Sequence, residues 1–450
     1  MNNKSFSTVN PANGEILKSY RHISFDDAEK AIAAAEEDFK VWRKTSFAER
    51  SNVLKKLADG LRKHKAEFAE LMHLEMGKLV AEAKAEIDKC IMTCEYYAES
   101  GPSMLQNQKA SPSTYPSAEV SFQPLGVIFS IMPWNFPLWQ VIRFAAPAVM
   151  AGNVILLKHA DLTAGAGELI GKIFSELGTS VTLLRNLHVD HEVAAQIIAD
   201  PRVKGVTFTG SSSGGKAVAL EAAKNLKKIV LELGGSDAYL VLADADVEKA
   251  AKVSTKARLV NAGQSCVAGK RFIVDEKVSA AYIKEFVKEM QGAEIAPLAH
   301  SRFQKQIIEQ VEKLKSWGGK VVLGGTAPQG AGAFYPPTVV VFEKDHPEVH
   351  KMEVFGPVAS VIVAKNTEHA LEIANSSPFG LGGGIFTQDV KKGKELVEKE
   401  LNAGFVVVND QVKSDPRIPF GGVKESGYGR ELGPFGIMEF VNIKTVALGN

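Results

Sequence analysis

The chain has 450 residues, a formal charge of +1, 45% hydrophobic and 23% charged residues, and three cysteines. That length allows two or three domains with buried cores. The near-neutral charge gives no electrostatic case for nucleic acid or an anionic membrane as partner, and three cysteines make no disulfide framework, which fits a reducing compartment. Met1–Phe6 carries no apolar signal segment and no stretch reaches the ~20 apolar residues of a membrane span, so a cytoplasmic location is the expectation.

In chain order, the first hundred residues read as helical. Ser24 with Asp27, and Ser46 with Glu49, have the spacing of capping boxes. Val53, Leu54, Leu57, Ala58 and Leu61 share one helical face. Cys90 and Cys94, four residues apart, are read as small apolar side chains on a helix face in preference to a metal or redox pair. Ala118–Gln123 alternates apolar and polar residues as an edge strand does. From residue 126, apolar runs at Val127–Met132, Val154–Leu157, Val203–Phe208 and Ile229–Leu233 are separated by helical segments. This alternation predicts crossover units and a parallel sheet covered by helices. Residues 236–420 suggest a second α/β domain, with Gly324–Pro337 as a surface loop.

Four segments carry candidate chemistry. Cys266 follows the small and amide residues Asn261-Ala262-Gly263-Gln264-Ser265. A lone cysteine is more often inert packing, but this context is turn-like, and a thiolate there is a nucleophile if its surroundings favour the anion. Glu232 ends an apolar run before Gly234-Gly235. A carboxylate so placed is either salt-bridged or a base with a raised pKa. Asn135, between Pro133 and Pro137, sits in a rigid turn after an apolar strand, where an amide either satisfies its own turn or donates to an oxyanion. Phe208–Gly215 runs from a strand through small residues into a helix, a turn that lets phosphate approach helix N-terminal amides. Nucleophile, base and oxyanion donor are the minimum kit a chain must supply for oxidising an aldehyde through a thioester, the hydride going to a separate acceptor. Gly165-Ala166-Gly167 is rejected as a dinucleotide fingerprint because it lies within a helix, and His188–Glu192 is read as a solvated loop, not a metal site.

In this order, Pro133–Pro137, Gly152–Lys158, Phe208–Gly215, Leu231–Gly235, Asn261–Arg271, Glu353–Pro357 and Pro419–Lys424 resemble the aldehyde dehydrogenase superfamily over nearly the whole chain. Lys158-His159-Ala160, Gly234–Asp237, Ser414–Pro419 and Gly436–Asn442 look like its short bacterial succinate-semialdehyde dehydrogenases. The resemblance implies an α/β fold with three parts. These are a Rossmann-type dinucleotide-binding domain (1–105 and 125–234), an α/β catalytic domain (235–423) and a small β oligomerisation element (106–124 and 438–450) making a homodimer or homotetramer.

The same resemblance implies Cys266 as nucleophile, Glu232 as hydrolytic base and Asn135 with the Cys266 N–H as oxyanion hole. It places Trp134, Lys158, Asp161, Gly210, Ser211, Leu233, Glu353 and Phe355 against the cofactor. Asp161 stands where an acidic residue binds the adenine-ribose hydroxyls, which implies NAD in preference to NADP. Arg143 and Ser414 stand where relatives bind a substrate carboxylate. A second arginine of some relatives is Val260 here, with Arg258 nearby as the alternative cation, and Gly178–His191 lacks the family's Pro-x-Gly turn. The expected substrate is succinate semialdehyde, with glutarate semialdehyde or a broad range of aldehydes as the alternative. Glu232 argues against a coenzyme-A-acylating relative, and the complete trio argues against a non-catalytic binding protein.

Overall fold

The computed structural model describes residues 4–110 and 114–449. The first three residues of the N-terminal stretch, and residues 111–113 and Asn450 of the expected oligomerisation element, lie outside the described residues.

The N-terminal region is not helical throughout. Ser5–Val9 and Ile16–Arg21 pair as an antiparallel hairpin ahead of the first helix. Asn10 Oδ1 accepts from Ala12 N at 2.9 Å in its turn, and Gly14 adopts a φ of 80°. The strands are short and Ser/Thr-rich, and much of their packing is ring against ring, Phe6 on Tyr20 at 5.3 Å, so they show little apolar alternation.

Helices Phe25–Trp42, Phe47–Lys63, Lys65–Met76 and Val80–Met104 follow. At Ser46 the capping box is complete: Ser46 N donates to Glu49 Oε2 at 2.7 Å and Glu49 N to Ser46 Oγ at 3.2 Å. At Ser24 only half forms. Asp27 N donates to Ser24 Oγ at 3.2 Å, but the shorter aspartate side chain bonds the hydroxyl instead of the cap N–H. Cys90 and Cys94 are buried in the hydrophobic core.

These helices pack on a six-stranded sheet in the order Gly427–Tyr428, Lys228–Glu232, Val203–Thr209, Val127–Met132, Val154–His159, Leu184–Asn186. The last five strands are parallel, and their runs of buried Val, Ile, Leu and Phe are what a sheet covered on both faces requires. From Val127–Met132 the chain builds outward through Val154–His159 to Leu184–Asn186. It then returns to the other side at Val203–Thr209. This reversal opens a crevice at the carboxyl ends of Val127–Met132 and Val203–Thr209, where ligands of open α/β sheets bind.

A second sheet has seven strands in the order Lys320–Leu323, Thr338–Phe342, Val358–Ala364, Gly269–Asp275, Asp237–Val241, Gly382–Phe386, Phe405–Val408. It is parallel except for its first, antiparallel strand, and apolar clusters fill both faces. Gly324–Pro337 is the loop between its first two strands. Ser117–Pro124, Gln108–Lys109 and Val441–Leu448 form a separate antiparallel ribbon.

Candidate active site

The turn before Cys266 is strained and heavily tied. Asn261, Ala262 and Gly263 have φ values of 52°, 53° and 74°. Left-handed backbone costs of order 1–3 kcal/mol at a residue with a Cβ and persists only where neighbours enforce it. Here Asn261 N donates to Glu82 Oε1 (2.9 Å), Asn261 Nδ2 to Asn135 O (2.8 Å), Arg258 Nη2 to Gly263 O (2.6 Å) and Ala299 N to Gln264 Oε1 (2.9 Å). A Cβ at Gly263 would lie 2.5 Å from the Gly356 carbonyl carbon. Lys270 Nζ then holds the carbonyls of Ser265 at 2.8 Å and Cys266 at 2.5 Å.

This turn places Cys266 in the lining of two cavities. One, of about 230 Å³, lies in the sheet crevice, with Trp134, Asn135, Gly210, Ser211, Glu232, Leu233, Glu353 and Phe355 around it. The other, of about 260 Å³, is lined by Lys89, Trp139, Arg143, Cys266, Ser414 and Phe420 among others. Gln140 borders both. Among the described residues no group of three or more His, Cys, Asp or Glu is placed to hold a metal ion.

Glu232 is the last residue of its strand, and neither carboxylate oxygen has a hydrogen-bond partner. Burial pushes its pKa well above the usual carboxylate range, the Glu431 carboxylate adds to this, and Arg143 and Arg430 oppose it. Cys266 departs from the sequence expectation that its surroundings favour the anion. Burial pushes the thiol up to about 11, and the Arg143 and Lys270 charges only partly offset it. The resting thiol is protonated at neutral pH and needs a base or an added positive charge to react. Asn135 Nδ2 donates to Gln264 O at 3.0 Å, which leaves its second N–H for another acceptor.

The remaining sequence-derived residues divide. Trp134 stacks on Phe303 (4.7 Å) and meets Phe355 edge-on (5.9 Å), forming an aromatic wall. Ser211 caps helix Ser212–Lys224, and Gly210 N donates to Glu232 O at 3.0 Å, fixing this β–α turn against the Glu232 strand. Glu353 accepts from Gly235 N at 3.1 Å and faces Lys270 at 3.4 Å. Lys158 and Asp161 lie outside the crevice lining, at the end of Val154–His159, where Asp161 Oδ2 meets His22 Nε2 at 3.2 Å.

Arg143 was read as the grip for a substrate carboxylate. It lines the second cavity with Cys266 and Ser414, and it is also engaged within the protein: it ion-pairs Glu431, donates to Thr209 Oγ1 at 3.2 Å and lies 5.0 Å from the Phe420 ring. Arg258 does not substitute for the missing arginine, since it turns inward onto Gly263 and is absent from the cavity lining. The segment His188–Glu192 is not a loop throughout, because Asp190 caps a helix beginning at His191. Gly165 and Ala166 lie in helix Ala164–Ser175 and donate to Glu75. Sequence reasoning missed Glu431, Lys270 and Lys89. Only Lys89 carried a signal, since Glu82, Glu86 and Lys89 recur at helical spacing on the helix of Cys90.

Cys266 thus lines both the parallel-sheet crevice, beside the unpartnered carboxylate of Glu232, and a second cavity, an arrangement that fits a nucleotide-linked oxidoreductase. The sequence profile described as the aldehyde dehydrogenase family matches residues 1–446, and the chain belongs to that family. It is similar to the succinate semialdehyde dehydrogenase Sad of Escherichia coli, 41% identical over 98% of this chain and 97% of that protein. It is equally similar, at 41% over 98% of this chain and 99% of the relative, to a probable NADP-linked succinate-semialdehyde dehydrogenase of Synechocystis. Among solved structures, succinic semialdehyde dehydrogenase from Streptococcus pyogenes, in complex with NADP as the cofactor, superposes with a TM-score of 0.95. That protein is 35% identical, and the match covers 99% of this chain and all of the other.

Proposed function

We propose that the protein oxidises succinate semialdehyde to succinate with NAD(P), NAD being preferred. The observation that carries this reading is that Cys266, the unpartnered Glu232 and Asn135 line one crevice while Cys266 also lines a second cavity. Full-length relatives named for this substrate support it.

The crevice suits a dinucleotide. The N–H groups at the start of Ser212–Lys224 suit phosphate, the Trp134 wall suits a flat ring, and Glu353 and Leu233 border the inner end. Bound there, the oxidised nicotinamide supplies the hydride acceptor. The chain's own residues do the rest. Cys266 gives up its proton to a base and its sulfur bonds to the aldehyde carbon. The carbonyl π electrons move onto oxygen, where the spare Asn135 N–H and the Cys266 N–H stabilise the charge. Loss of hydride leaves a thioester on Cys266. Glu232 takes a proton from water, the hydroxide adds to the thioester carbonyl, and the C–S bond breaks to release succinate and the thiolate. Splitting the oxidation into covalent steps replaces direct hydride loss from a hydrate.

The Asp161 carboxylate, still partly exposed beside His22, accepts from a ribose diol and repels a 2′-phosphate, which supports NAD over NADP. Residues 1–105 with 125–234, and 235–423, are the proposed cofactor and catalytic units, and each has its own parallel sheet. The ribbon of 106–124 and 438–450 is the proposed oligomerisation element of a homodimer or homotetramer. Its strand Val441–Leu448 is paired along one edge and exposes Ile443, Val446 and Leu448, a combination that invites a partner. No helix among the described residues is long and apolar enough to cross a membrane, and the free Cys90, Cys94 and Cys266 suit the proposed cytoplasmic location.

The test is a panel of NAD or NADP with succinate semialdehyde, glutarate semialdehyde and butanal, read by reduced-cofactor absorbance. The reading expects the highest kcat/KM for succinate semialdehyde with NAD. Equal or better use of butanal contradicts it.

A further inference from the structure

Four cations line the larger cavity: Lys78, Lys89, Arg143 and Lys413. Three are balanced by a carboxylate, Lys78 by Glu86, Arg143 by Glu431 and Lys413 by Asp410. Lys89 differs. Its Nζ donates to Ser414 Oγ at 2.6 Å and sits 3.9 Å above the Trp139 ring, and no carboxylate of the described residues pairs with it. The acids in its field are engaged elsewhere. Glu86 accepts from Lys78 and from the N–H groups of Leu138 and Trp139, and Asp415 is held by Arg417. A half-buried ammonium with a hydroxyl and a ring face for company is short of an anion.

We infer that Lys89, with Ser414 beside it, supplies a further cation for the carboxylate at the far end of the aldehyde substrate. The inference rests on the proposed reading of Cys266 as nucleophile toward an aldehyde that bears a carboxylate. The ammonium retains donors to offer a carboxylate oxygen beyond the one given to Ser414, and the Ser414 hydroxyl can donate to the other oxygen. The Trp139 face keeps water from one side of the pair, which strengthens it.

The charge of Lys89 is itself conditional. Burial pushes its pKa down to about 8; the Arg143 charge acts the same way, while Cys90 and Glu86 on its own helix and Asp415 opposite oppose the fall. A bound carboxylate favours the protonated form. Recognition is therefore complete below this pKa and is lost as pH rises through it.

The experiment compares kcat/KM for succinate semialdehyde and for butanal, with NAD, in the parent, Lys89→Met, Lys89→Arg and Arg143→Met. One charge-assisted hydrogen bond predicts a fall of roughly 10–100-fold in the semialdehyde-to-butanal ratio of Lys89→Met, expressed mainly in KM. Lys89→Arg should restore most of it, and succinate should bind Lys89→Met more weakly by calorimetry. Should Lys89→Met not fold, the parent's ratio between pH 7 and 10 decides: a decline centred near pH 8 supports the inference and a flat ratio overturns it. A parent with no preference for the semialdehyde refutes the substrate reading, and the inference falls with it. A clear preference in the parent that Lys89→Met retains overturns the role of Lys89 alone.

Discussion

Arg143 is ion-paired to Glu431 with both side chains almost wholly removed from solvent. Glu232 belongs to the same buried charge cluster, so one arginine faces two acids. The arginine is ion-paired to Glu431, and Glu232, which has no ion pair among the described residues and whose pKa burial pushes well above the usual carboxylate range, is the acid left to gain and lose a proton. The pair thus tunes the proposed base.

Two consequences follow for Arg143→Met and Glu431→Gln. Breaking a buried pair by removing one partner costs about 3–5 kcal/mol, which a lowered thermal midpoint of Glu431→Gln would register. Without Arg143 the acidic field around Glu232 is unopposed by its nearest cation, so its pKa rises further. Thioester hydrolysis needs the deprotonated form, so the activity profile of Arg143→Met should shift to higher pH; an unshifted profile contradicts this role.

The oxyanion assignment predicts that Asn135→Ala lowers kcat by about 10²–10³. The loss should appear in kcat with little change in cofactor binding, measured by steady-state kinetics and by titration of NAD against intrinsic fluorescence.

The raised pKa of the half-buried Cys266 predicts slow alkylation of the free protein. With the thiol near 11, iodoacetamide should react at a rate rising about tenfold per pH unit from neutrality to pH 10. The cationic ring of bound NAD should raise the rate at pH 7. A plateau below pH 8 in the free protein would show a thiolate already formed at rest.

Asp161→Ser should improve kcat/KM with NADP relative to NAD, because it removes the charge that a 2′-phosphate meets. An unchanged ratio would discard Asp161 as the selector.

Much of this was legible in the sequence because it is local. Val154–Leu157 is buried throughout and reads as an unbroken apolar run, and Val127–Met132 is interrupted only by Ser130. The Ser46–Glu49 box spans one helical turn, and Cys266, Glu232 and Asn135 each stand at a strand end or tight turn. What stayed hidden depends on contacts distant in sequence. Nothing around Arg143 shows that Glu431 will neutralise it, and nothing around Cys266 shows that burial will hold its proton. The helical spacing of Glu82, Glu86 and Lys89 does not show that the fold will lay Ser414 and Trp139 against Lys89. The N-terminal hairpin escaped because its strands lack an apolar stripe.

The central claim is a covalent thioester on Cys266 that Glu232 is needed to hydrolyse. The most direct measurement is intact-protein and peptide mass spectrometry of Glu232→Gln after mixing with succinate semialdehyde and NAD. The account predicts one stoichiometric burst of reduced cofactor, then a succinyl adduct mapped to Cys266. Steady turnover at the parent rate, or an adduct on any other residue, would contradict it.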